Sequence, residues 1–167
     1  MNVKIKFEDF LAYFEVIELP VVLSEDLVHT FDTHTPPLPA LLTEAFIHII
    51  DQGNIDEFTE FIPCFRLPTN DEFIGLVYWK GGLLAQEFHL ATYLPNGALI
   101  DHSVIAGINY INDLIMRSIA NISPDLVVTI ASGIQDSTTN KYNPSSSVIK
   151  HLEIMPGGTL ILNDEDL

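Results

Sequence analysis

A chain of 167 residues is the length of one domain and is long enough to bury a sizeable core. Its 23 acids against 7 bases give a formal net charge of −16, the wrong sign for phosphate backbones or anionic membrane surfaces, so neither nucleic acid nor a membrane is expected as a partner. Hydrophobic residues make up 47% and charged residues only 18%, which implies either an unusually neutral surface or an apolar face covered by another subunit in a homo-oligomer.

In chain order, "KFEDFLAYFEVI" places Phe7, Phe10, Leu11, Phe14 and Ile17 at helical spacing and predicts a short amphipathic helix. Pro20 turns "ELPVVLSEDL" toward an extended form. "HTFDTHTPPLP" reads as a loop because of its three prolines. "PALLTEAFIHIIDQG" reads as a largely buried helix that starts near Pro39 and is capped at its C-terminus by Gly53. On this helix Glu44 and His48 are four apart with the acid first, the stabilising order for an ion pair.

From residue 61 the pattern becomes β. "FIPCFRLP" is a short extended piece, and "EFIGLVYWK" with "LLAQEFHLATYL" forms a hairpin turning at Gly81-Gly82. Asn96-Gly97 marks the next tight turn, into "ALIDHSVIAG". "DLIMRSIANI" is read as a strand, followed by the strand "LVVTIASG" and a last hairpin through Pro156-Gly157-Gly158. The polar stretch 133–147 is expected to be a loop. Strands joined by tight turns give an antiparallel meander. The expected fold is α+β: an antiparallel sheet of about six to eight strands over residues 61–162, packed by N-terminal helices, in a single domain with an acidic tail at 163–167.

The segment "HLATYLPNGALIDHS" concentrates the reactive side chains. With a two-residue turn at Asn96-Gly97, Thr92 faces Asp101 and Leu90 faces Ser103 on one side of the sheet. His89, Ala91, His102 and Val104 occupy the other. Asp101, His102 and Ser103 therefore cannot form a triad within the strand, because the base and the nucleophile point apart. His89 and His102 share a face, diagonal across the pair and roughly 7–8 Å apart at Cα. Two imidazoles fall short of the three or four protein ligands that zinc takes, so no metal and no cofactor is expected. Gly75 is expected opposite Phe88, where it would make room for the ring.

Other candidates carry less. His29, Asp32 and His34 match no spacing with a mechanism. Cys64 is the single cysteine, which excludes an intramolecular disulfide, and it reads as a small buried hydrophobe near Arg66. Neither glycine pair leads into a helix that could hold a phosphate. Glu8 and Asp9 interrupt any signal-peptide core, and no stretch approaches the ~18 apolar residues of a membrane span, so a cytoplasmic location is expected.

The charge asymmetry is local as well. Between Lys6 and Arg66 there is no lysine or arginine but there are twelve acids. That run points to a non-enzymatic module that binds a basic protein in the manner of an immunity protein or inhibitor. The alternative is a small-ligand protein or hydrolase-like enzyme with a pocket at the sheet end, near Asp101 and Ser103 or near His89 and His102.

Overall fold

Phe7, Phe10 and Phe14 recur at helical spacing, and a short helix α1 (Phe7–Leu11) forms there in a computed structural model, which describes residues 4–34, 36–50, 55–138 and 142–164. Strand β1 (Val21–Leu23) follows Pro20 in the expected extended form. Residues 29–34 of the segment read as a loop belong instead to helix α2 (Leu27–His34), while residues 36–39 are non-helical as expected. The segment's prolines begin only at Pro36, and Leu27, Val28 and Phe31 pack against the core at helical spacing. Helix α3 (Ala40–Phe46) starts after Pro39 as expected but is shorter than its apolar pattern. Its last carbonyl group, that of Phe46, accepts the buried phenol of Tyr93 at 2.7 Å. The Gly53 cap lies outside the described residues.

The fold is α+β, and its β part is an antiparallel meander. Strands β2 (Glu60–Arg66), β3 (Ile74–Gly81), β4 (Ala85–Tyr93), β5 (Leu99–Ile111), β6 (Leu114–Ile122), β7 (Val127–Asp136), β8 (Tyr142–Ile154) and β9 (Leu160–Asp164) pair in sequence order. The polar stretch 133–147 therefore belongs largely to two strands, with Gly133–Asp136 paired to β6. Ladder hydrogen bonds hold such a ribbon without apolar side chains, so hydropathy alone misreads it.

Two hairpins correct the expected registers. Gly82 N donates to Ala85 O at 2.8 Å, so the β3–β4 turn lies at Leu83-Leu84 and not at the glycine pair. Gly75 consequently faces Thr92 instead of Phe88, and Tyr78 faces His89. The shift is even, so each side chain keeps its expected face. At β4–β5 the loop has three residues, Pro95-Asn96-Gly97, with Gly97 at φ +93 and Leu94 N donating to Ala98 O at 2.8 Å. The resulting bulge pairs Tyr93 with Leu99 and turns Ile100 into the first core. Between the bulges the expected pairs hold: Thr92 with Asp101, Ala91 with His102, Leu90 with Ser103 and His89 with Val104.

Both faces of β3 and β4 are covered. On one side Val77, Phe88, Leu90 and Ile105 meet Ala120, Ile122, Val128 and Leu152, so β6–β8 fold over β2–β5. On the other, Phe7, Phe10 and Phe14 pack with Leu42, Ile47, Tyr78 and Tyr93 beneath α1 and α3. The changeover occurs at Gly107, which pairs with Glu87 of β4 and Ser118 of β6. Only Gly107–Ile111 of β5 pair with β6, and beyond Ser118 the edge of β6 at Ala120–Ile122 is taken by β1. Thr92 Oγ1 donates to Gly158 O at 2.7 Å and stitches the last hairpin onto β4. Among the described residues no helix is long and apolar enough to cross a membrane.

Candidate functional site

Alternation along "AQEFHLATY" puts Glu87, His89 and Ala91 on one face of β4. Because Tyr78 lies directly opposite His89, their rings stack with centroids 5.0 Å apart and planes at 12°. His102, diagonal on β5, stacks on the imidazole as well, at 5.0 Å and 22°. His89 Nδ1 and His102 Nε2 are 2.7 Å apart, and His89 Nε2 is 3.1 Å from Glu87 Oε2.

Both nitrogens of His89, a side chain only 2% exposed, are therefore engaged. An ionised Glu87 can only accept, so His89 Nε2 carries the proton in that bond. In the neutral ring Nδ1 is then an acceptor, and His102 Nε2–H donates to it. The carboxyl of Glu87 is held below its ordinary value, first by the hydrogen bond from His89, against the opposing effect of burial, with the electrostatic attraction of the adjoining His89 ring, a hydrogen bond from Asn109 and the positive charge of Lys80 adding to it. The result is a carboxylate–imidazole–imidazole chain in which one proton lies between the rings. Its nitrogens face each other along a hydrogen bond. Among the described residues no group of three or more His, Cys, Asp or Glu side chains is placed to hold a metal ion.

A lowered folded-state value makes ionised Glu87 a source of stability above the ordinary glutamate value of 4.5, lost as pH falls through the folded value. Glu87→Gln should therefore cost about 1–2 kcal/mol at neutral pH. The difference from the native chain should close as pH falls below 4.5 and on through the folded value. Urea unfolding of both chains across that range measures it; a gap that stays constant with pH would contradict the ionised bond.

The chain opens onto a cleft of about 620 Å³ whose wall includes Asp56, Thr59, Lys80 and Val104. Asp56 and Thr59 are fixed by their own bonds, Thr59 Oγ1 to Asp56 Oδ1 at 3.1 Å and Phe58 N to the same oxygen at 2.8 Å. They also wall a second cleft of about 580 Å³, between α3 and β2, that is lined by Glu44, His48, Glu60 and Phe61. His48 turns toward Phe61, ring centroids 5.9 Å apart. Glu60 in turn borders a third cleft of about 330 Å³ with Glu25, Asp26 and Trp79.

Asp101 and Ser103 are not brought to the histidines. The Asp101 carboxylate accepts from Leu160 N at 2.9 Å and His102 N at 2.8 Å, tying β5 to β9. Ser103 donates to Val104 O at 3.2 Å and lines a cleft of about 180 Å³ with Ser118 and Ser132. Cys64 is buried, and burial pushes its thiol far up, as suits a small hydrophobe. His29, Asp32 and His34 belong to α2, but their side chains lie outside the described residues.

Glu87 is the member that sequence reasoning missed. It sits two residues before His89 on the same face, a signal available from alternation alone. The acidic clefts had no such signal, because they depend on where the 55–59 segment and α3 pack against β2. Comparison with protein-family models, with curated proteins and with solved structures returns no match.

Proposed function

We propose that the chain is a non-enzymatic binding module for a basic polypeptide in the cytoplasm, such as a nuclease or toxin that it neutralises. One observation carries this reading. Acids from the base-free run gather on both sides of the first residues of β2, as Glu44, Asp56 and Glu60 in one cleft and Glu25, Asp26 and Glu60 in the other; no lysine or arginine lines the first among the described residues, and at the second Arg117 pairs with Glu25 alone of the three acids in the described contacts. A cleft of one sign with apolar walls focuses its field and speeds capture of an oppositely charged partner.

A second reading, a small-ligand protein or hydrolase-like enzyme, is favoured by the Glu87–His89–His102 chain and the cleft onto which it opens. The two readings separate in one set of variants, with octa-arginine peptide as the probe. Under the first reading, joint Glu44→Gln, Asp56→Asn and Glu60→Gln weakens the peptide about tenfold or more, while His102→Ala leaves its affinity unchanged. Equal affinity in native and acid-neutralised chains would sink the first reading. A small molecule that the native chain retains through purification and His102→Ala does not would establish the second.

A further inference from the structure

The third cleft has a floor as well as a rim. Ile62 of β2 pairs with Trp79 of β3, and Trp79 with Phe88 of β4, so one row across three strands presents two aromatic rings and an aliphatic side chain. Gly81, two residues beyond Trp79, lies beneath the indole; a Cβ there would collide with the ring. Val28 from α2 and Ile108 from β5 form the walls, and Gly107 leaves the β5 side open. Around this apolar floor stand Glu60, Glu25 and Asp26. The rim already engages one guanidinium, because Arg117 of β6 pairs with Glu25. A volume of about 330 Å³ is at the small end of ligand pockets and suits one side chain better than a cofactor.

Resting on the basic-partner reading, we propose that this cleft receives an arginine side chain of that partner, its guanidinium over the Trp79 indole and paired to Glu60 beside Asp26. Arginine fits better than lysine for two reasons. Its planar, weakly hydrated head stacks on an aromatic face, and its fork of donors matches a carboxylate. Charge complementarity selects the sign of the occupant, and the indole selects its shape.

Trp79 is the sole tryptophan, so its emission reports on this cleft alone. Octa-arginine and octa-lysine are titrated into the full chain while emission and binding heat are recorded in parallel. The expected result is a saturable change of Trp79 emission that tracks the heat, with octa-arginine bound several-fold tighter than octa-lysine. Glu60→Gln combined with Asp26→Asn, both exposed positions, should abolish the emission change and weaken octa-arginine about tenfold. Asp71→Asn, an exposed acid lining none of the clefts, should change neither readout. Binding heat without any change in Trp79 emission would overturn the assignment of this cleft while leaving the basic-partner reading standing. Octa-lysine matching octa-arginine in both readouts would overturn the arginine assignment. Absence of both heat and emission change would overturn the cleft together with the reading it rests on.

Discussion

Replacing Gly107 by alanine should destabilise the chain by about 3 kcal/mol or more, a large part of the roughly 5–15 kcal/mol that holds a domain folded. Gly107 sits at φ +141, a conformation that side chains rarely adopt. A Cβ there would lie 2.7 Å from Glu87 Cα and closer still to the Gln86 carbonyl oxygen. Those atoms are β4 backbone, so no rotamer change can relieve the clash. The residue also lies where β5 passes from pairing β4 alone to pairing β6 too, so retreat of β5 would disturb both ladders. Gly157→Ala is the internal control, because nothing lies within 4 Å of its added Cβ and its φ is ordinary. Urea unfolding should show a large loss at 107 and a change within about 0.5 kcal/mol at 157. Equal, small effects at both would mean that β4 and β5 do not approach as described.

Phe10→Ala should cost about 3–5 kcal/mol and lower the melting temperature by about 10 °C. The ring is fully buried, 4.9 Å from Phe46, 5.0 Å from Phe14, 6.0 Å from Phe7 and 6.1 Å from Tyr93 by ring centroids. With Phe7 it links α1 to both Phe46 at the end of α3 and Tyr93 on the outer face of β4. Truncation leaves a cavity that the four aromatic neighbours cannot fill without moving α3. That helix carries Glu44 and so one wall of the acidic cleft. Peptide affinity should fall along with stability in Phe10→Ala. Phe10→Leu should keep most of both, since the core tolerates a smaller apolar side chain better than a void. A melting temperature unchanged by the alanine would show that the second core does not hold α1 to the sheet.

The meander was legible because several strand pairs are closed by short turns with their own residue chemistry, such as Pro95-Asn96-Gly97 and Pro156-Gly157-Gly158. The His89–His102 pairing was legible for the same reason, since it depends on one local hairpin. Turn position was not, because Gly81 is required by the Trp79 indole that lies over it within β3, a side-chain packing contact, and not by turn geometry. Helix α2 was misread because its apolar face is only three residues deep and two threonines interrupt it. The β1–β6 pairing joins segments about a hundred residues apart, and no local pattern encodes it. Charge told most about the surface: the absence of lysine and arginine between Lys6 and Arg66 anticipated clefts rich in acids, although only packing against β2 determines which acids meet.

The most direct test of the acidic-module account is the association rate of the full chain with octa-arginine at about 20 mM and about 300 mM salt, conditions that move the screening length across the width of the clefts. The account predicts a fast association that slows by about tenfold or more at the higher salt, with a smaller change in the dissociation rate. An association rate indifferent to salt would contradict it, because the gathered acids would then play no part in drawing the partner in.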